Sequence, residues 1–217
     1  MPEQIMTVAQ IRAAEESVMR SVPGPILMAR AADAVAAEAD TMLTSIRGRV
    51  RGSRVVVLAG SGNNGADGLL TGARLAAWGA NVVGVLTSGA ADGAAMQECE
   101  EAGGELVSPD DAPAAAISAV AGADLVIDAI VGIGSKPGLR KPAEGLVAAI
   151  ASSTPIISVD IPSGLDADAS AADAPHVHAD VTVTFTAYKA CLSADPARAS
   201  AGRIVLAQVG VPPLAGV

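Results

Sequence analysis

From Arg54 onward the chain alternates short apolar runs with stretches whose apolar residues recur at helical spacing. The runs read "RVVVLA" from 54, "NVVGVL" from 81, "DLVIDA" from 124, "PIISVD" from 155, "DVTVTF" from 180 and "RIVLAQV" from 203. Apolar runs without polar alternation belong to strands buried on both faces. Helical stretches fall around 67–78, 91–102, 112–121 and 142–152, and strands separated by helices pair in parallel through right-handed crossovers. The pattern predicts an α/β fold, a doubly wound and mainly parallel sheet flanked by helices. No clear helix separates the last two runs, which leaves their order and direction open.

Ahead of this core, Thr7 and Gln10 have the spacing of a capping box, and Val8, Ile11, Ala14 and Val18 share one side, so a first helix starts near Val8. The segment "PGP" at 23–25 stops it, and "ILMARAADAVAAEADTMLTSI" then runs as a long helix of strong helix formers. The expected organisation is one domain over 1–217, a helical extension to about residue 50 followed by a core over about 51–213. Ala, Asp and Ser at 166–174 predict a mobile loop.

In an open α/β sheet, ligands bind beyond the carboxyl ends of the strands. Three of those ends carry unusual chemistry: "GSGNNGADG" after the run at 54, "DAIVGIGSKPG" at the run from 124, and "DIPSGLDAD" at the run from 155. Singly, each has a plain structural reading. Asp67 can cap a helix, Asn63 and Asn64 tolerate left-handed turns, Asp128 and Asp160 can open loops, and Ser163 can sit in a turn after Pro162. Their coincidence at one sheet edge favours a ligand site.

Gly60, Gly62 and Gly65 satisfy G-x-G-x-x-G, the spacing of a dinucleotide-binding turn. A dehydrogenase of that type also needs an acid about 20 residues further on, at the end of the second strand, to hold the ribose hydroxyls. Here that strand ends "VLTSGA", with no carboxylate before Asp92. Adjacent side-chain amides suit coordination by their oxygens, since a pyrophosphate cradle uses backbone N–H groups.

Composition narrows the classes further. The net charge is −9 and the chain holds one Trp, one Tyr and one Phe, so neither the basic field nor the stacking platforms of a nucleic-acid binder are present. No apolar stretch approaches the roughly 20 residues of a membrane span, and the start "MPEQIMTVAQIRAAEE" lacks a signal-peptide pattern. A cytoplasmic protein without membrane contact is expected. Cys99 and Cys191 read as buried free thiols, and His176 and His178 as solvated loop residues with no third ligand nearby.

The strings "GSGNNGADGLLTGARLAAWGANVVGVL", "DLVIDAIVGIG", "ISVDIPSGLDAD" and "VTVTFTAYKACL" together resemble the NAD(P)H-hydrate epimerase family, the YjeF N-terminal domain. The likeness runs from "LMARAA" at 27 to "VGVPP" at 209. It implies a Rossmann-like fold and an isomerase that interconverts the R and S hydrates of NADH and NADPH, with one K+ ion per subunit. By position, it implies that Asn63, Asn64, Gly65, Ala66 and Asp67 line the hydrate site. Gly132, Ile133, Gly134, Ser135, Lys136, Pro137 and Gly138 would form a second substrate loop, and Asp160 would meet the hydrated ring as the acid-base catalyst. Asn64, Asp128 and Ser163 would be the potassium ligands, and Lys189 matches a family lysine without an assigned role.

The same resemblance implies a homodimer and a partner dehydratase driven by ADP or ATP, fused or separate, to which "VGVPPLAGV" would be the start of a linker. Two departures stand out. Ala66 replaces a glycine of the usual N-N-G-G-D-G, and Ser170 replaces a glycine after the D-x-D segment. A positive φ at residue 66 would make the extra methyl a strain. The competing readings are a nicotinamide oxidoreductase and a non-catalytic binding module. Retention of Asn64, Asp128, Asp160 and Ser163 together argues against the second.

Overall fold

The structure is a computed structural model and describes residues 4–88 and 91–212. Two helices open it, α1 (Val8–Met19) and α2 (Gly24–Arg47). There follow β1 (Arg54–Ala59), α3 (Asn63–Ala77), β2 (Asn81–Leu86), α4 (Gly93–Glu101), β3 (Glu105–Val107), α5 (Pro113–Ala121), β4 (Leu125–Ala129), α6 (Ala143–Ala148), β5 (Ile156–Val159), β6 (Val181–Phe185) and β7 (Arg203–Ala207). The strands make one sheet in the order β3-β2-β1-β4-β5-β6-β7, and every neighbouring pair is parallel. Winding reverses between β1 and β4, the switch point at which such sheets bind ligands.

The last two strands, left open by the sequence, pair in parallel from Val181↔Arg203 to Phe185↔Ala207. Two short 3-10 helices, Ala190–Leu192 and Ala197–Ser200, take the place of a crossover α-helix. β3 is an element the apolar runs did not announce, three residues at the sheet edge with none fully buried.

Alternate residues of β1 serve two cores, as the pleat of a doubly covered strand requires. Val55, Val57 and Ala59 pack with Val35 and Leu43 of α2 and Leu69 of α3. Val56 and Leu58 pack with Ala116 and Val120 of α5 and Leu146 of α6. Ile11 and Ala14 of α1 join the first of these clusters, so the N-terminal helices are part of the core. Helix α3 presses so close to the sheet that a Cβ on Gly68 would stand 2.3 Å from the Cβ of Ala129.

The capping box of α1 forms: Gln10 N donates to Thr7 Oγ1 at 3.3 Å, and Thr7 N donates to Gln10 Oε1 at 2.8 Å. Val8 N also donates to Asp168 Oδ1 at 2.8 Å, and Ala197 N to Ser170 O at 3.0 Å. These bonds tether the 166–174 segment that its composition marks as mobile. Ala66 lies in the first turn of α3, 1% exposed. The non-glycine residues with positive φ among the described ones are Asp160 and Thr186, so the Ala66 methyl adds packing and no backbone strain. The end of the presumed linker, 213–217, lies outside the described residues.

Candidate active site

A cleft of ≈ 930 Å³ opens at the carboxyl ends of the central strands. Beside it, backbone segments are in direct contact. A Cβ on Gly60 would stand 1.8 Å from Ile130 O, and one on Gly65 would stand 1.9 Å from Gly60 O. Those two glycines let the β1–α3 turn fold against the loop after β4. Gly62, the middle glycine of the fingerprint, meets nothing within 4 Å and lines the cleft.

Asp160 follows β5 with φ 70°, a left-handed conformation that is costly for a residue with a Cβ and held by its surroundings. Its own N–H donates to Val183 O at 2.7 Å. Oδ1 receives Lys189 Nζ at 2.5 Å and Thr184 Oγ1 at 3.4 Å. Lys189 is 1% exposed, and its ammonium also donates to Thr184 Oγ1 at 2.6 Å and Phe185 O at 3.0 Å. This lysine, unassigned from sequence, saturates one carboxylate oxygen and fixes its direction. Among the described residues the other, Oδ2, accepts only a long bond from Ile133 N at 3.4 Å and points toward Gly132, where a Cβ would come within 3.2 Å of it.

Two further carboxyls share the cleft, Asp67 from α3 and Glu15 from α1. Asp67 Oδ1 is sealed from solvent without a hydrogen-bond partner among the described residues. Burial, then the charges of Asp160 and Glu15, push the Asp67 carboxyl well above the usual range. Glu15 is raised by burial and by Asp160, against the opposing pull of Lys189 and Arg12. Arg12, Lys136, Arg140 and Lys141 add a basic rim to the same cleft.

Beneath it, Asp128 is 0% exposed. Its register neighbour Ser158 donates through Oγ to Oδ2 at 2.7 Å, Ser163 N donates to Oδ2 at 2.9 Å, and Ile130 N reaches Oδ1 at 3.4 Å. Burial raises its carboxyl, partly offset by the Ser158 and Ser163 hydrogen bonds. Ser163 Oγ accepts from Val131 N at 3.0 Å and donates to Val131 O at 3.1 Å. Asn64 stands over the next residue of that loop, since a Cβ on Gly132 would be 3.1 Å from Asn64 Oδ1.

Of the residues proposed from sequence, Asn63, Asn64, Asp67, Gly132, Ile133, Gly134, Ser135, Lys136, Gly138 and Asp160 line the cleft. Gly65 and Ala66 face the packing between α3 and the sheet, Pro137 lies off the lining, and Asp128 and Ser163 sit below it. Arg12, Glu15 and the Lys189 bond to Asp160 went unread. The surface of α1 opposite its apolar stripe looks like an ordinary charged helix face until the fold places it. His176 is partly buried, not solvated: Nδ1 pairs with Ala174 O at 2.7 Å and Nε2 with Ser200 Oγ at 2.8 Å. Cys99 and Cys191 are buried free thiols, pushed by burial up to about 11 and about 12.

The model of the YjeF-related protein N-terminus family matches residues 24–191. The chain belongs to that family. Among its relatives, the bifunctional NAD(P)H-hydrate repair enzyme Nnr of Mycobacterium tuberculosis is 39% identical over 207 residues, covering 94% of this chain and 41% of the relative. The chain thus spans about two fifths of that protein. The NAD(P)H-hydrate epimerase of Limosilactobacillus fermentum is 37% identical over 215 residues, covering 95% of this chain and 97% of the relative. That of Clavibacter michiganensis is 40% identical, covering 84% and 87%. The crystal structure of yeast ynu0 superposes with a TM-score of 0.79 at 22% identity over 98% of this chain and 96% of that one, which supports the fold.

The polar floor has the donor chemistry of a hard-cation site. Asp128 is a fully buried carboxylate with no Lys or Arg paired to it among the described residues, and an uncompensated buried charge is costly. Asn64 Nδ2 is buried without a partner among the described residues, and turning that amide over would present an oxygen in the same place. The available donors are amide, carboxylate, hydroxyl and carbonyl oxygens, the set a hard cation prefers. No three His, Cys, Asp or Glu gather into a transition-metal site among the described residues.

Proposed function

We propose that this family member epimerises the R and S hydrates of NADH and NADPH, and that Asp160 carries the acid-base chemistry. The observation that supports this most is the state of the Asp160 carboxylate. One oxygen is locked by a buried lysine and the other is left open toward Gly132, within a dinucleotide-sized cleft. The hydrate carries a hydroxyl on the ring carbon next to the ring nitrogen. Loss of that hydroxyl as water leaves a cation stabilised by the nitrogen, and water returning to the opposite face gives the other epimer. A positioned carboxylate assists both proton movements.

The remaining residues bind and orient. Arg12, Lys136, Arg140 and Lys141 line the cleft as cations for the diphosphate, and the N-terminus of α3 at Asn63 offers backbone N–H groups. Asn64, Asp128 and Ser163 would hold potassium, one ion per subunit, whose charge when bound offsets that of Asp128. A cytoplasmic homodimer working with a dehydratase, fused or separate, completes the proposal. Among the described residues no helix is long and apolar enough to cross a membrane.

The oxidoreductase reading finds no support where it needs it. Thr87 and Ser88 follow β2, Thr87 Oγ1 is spent on Ala59 O at 3.0 Å, and the sequence from there to Asp92 carries no carboxylate for a ribose. Calorimetry separates the two: the hydrate should bind more tightly than intact NADPH. Tighter binding of NADPH, with oxidation in the presence of a small carbonyl compound, would return the chain to the dehydrogenases.

A further inference from the structure

The three cleft carboxyls differ in what faces them. Asp160 is bound to the ammonium of Lys189 at 2.5 Å. Glu15 is half-buried on α1, within the field of Arg12 and Lys189. Asp67 has no Lys or Arg in an ion pair with it and no donor on its Oδ1 among the described residues, while burial and the charges of Asp160 and Glu15 raise its carboxyl. A carboxyl in that position is most stable with its own proton. It also lies on the other flank of the site: Asp67 belongs to the helix after β1 and Asp160 to the end of β5, with β4 between those strands.

We infer that Asp67 and Asp160 work as a proton donor and acceptor pair addressing opposite faces of the hydrated ring. This rests on the epimerase reading and assigns a reaction role to Asp67. In one direction the Asp67 proton goes to the departing hydroxyl, the carbon–oxygen bond breaks, and water leaves on that face. A second water attacks the opposite face, the new carbon–oxygen bond forms, and its surplus proton goes to Asp160 Oδ2. No electrons are transferred, and the oxygen of the product comes from solvent. The opposite epimer runs the same steps in reverse, from protonated Asp160 and ionised Asp67. Glu15, a half-buried carboxyl in the same cleft, is the group that can exchange protons between the pair and solvent between turnovers.

The test uses separated R and S hydrates in water labelled with oxygen-18, with rates corrected for the protein-free reaction and folding checked by circular dichroism. Wild-type protein should invert and label both epimers. Asp160→Asn should lose inversion by about 100-fold or more, yet still label one epimer, because Asp67 can expel the hydroxyl and readmit water on the same face. Asp67→Asn should also lose inversion by about 100-fold, with the hydrate still bound. Near-normal inversion by Asp67→Asn, or loss of all labelling in Asp160→Asn, would overturn the pair and leave the single-carboxylate mechanism. A wild-type protein that neither inverts nor labels would overturn both the pair and the epimerase reading.

Discussion

At the amino ends of the strands, Asp124 and Asp180 each meet fixed donors. Asp124 takes Arg54 N at 2.7 Å through Oδ2, and its Oδ1 lies 2.7 Å from Arg47 Nη1 and 3.3 Å from Arg54 Nη2. Asp180 takes Ile156 N at 2.8 Å. At the carboxyl ends the same residue type is treated differently. Among the described residues, Asp67 is half-buried with a sealed Oδ1 that has no partner, Asp128 is buried without a cation, and Asp160 is held at positive φ with one oxygen left open. One edge satisfies its charges and stabilises the fold. The other keeps polar groups unsatisfied and backbone strained, which is the state a binding and reacting site requires.

The contrast breaks most visibly through Asp160. Asp160→Asn should lower epimerisation by about 100-fold or more with hydrate binding retained, and should lower the melting temperature, because the buried Lys189 ammonium loses its carboxylate partner. Next comes Gly132→Ala. The added methyl would lie 3.1 Å from Asn64 Oδ1 and 3.2 Å from Asp160 Oδ2, and displacing those groups should cost about 10-fold to 100-fold in kcat/KM with little change in melting temperature. At the opposite edge, Asp124→Ala should leave kcat/KM unchanged. Loss of its bonds to Arg54 and Arg47 should lower stability by about 1–2 kcal/mol, read as a fall of several degrees in melting temperature.

The smallest effect is a difference of sign with pH. Asp124 is lowered from 3.8 because its bonds and charges from Arg54 and Arg47 outweigh burial. It therefore contributes stability above 3.8 that is lost as pH falls through its folded pKa. Asp67 is raised from 3.8 by burial and its acidic neighbours, so its contribution is present below 3.8 and lost as pH rises through its folded pKa. Asp67→Asn should accordingly raise stability near neutral pH, by on the order of 1 kcal/mol, and remove that decline. Thermal melts of the two variants across pH 3 to 8, compared with wild type, give the two slopes. Slopes of equal sign would contradict the division between the edges.

Sequence made the fold legible where burial on both faces writes continuous apolar runs, as in "RVVVLA" and "DLVIDA". It missed β3 because three partly exposed residues carry no such run. Helix α3 starts at Asn63, four residues before its apolar periodicity begins, because turn-like residues there are held by the glycine-rich contact with Ile130. Asp128, read from sequence as a residue that can open a loop, lies inside β4. The Lys189–Asp160 pair joins residues 29 apart, and Glu15 reaches the cleft only once α1 is folded into the core. No local pattern marks either. The motif residues were readable as a set, but the division of labour among the three carboxyls depends on which of them the fold gives a cation.

The most direct test is a time course of each separated hydrate with the purified protein, in potassium and in sodium buffer, beside Asp160→Asn and a protein-free control. Wild type should bring R and S to the same equilibrium from either side, faster in potassium, while Asp160→Asn stays near the control. A wild-type rate no greater than the control in both buffers, or full activity without the Asp160 carboxylate, would contradict the proposed function.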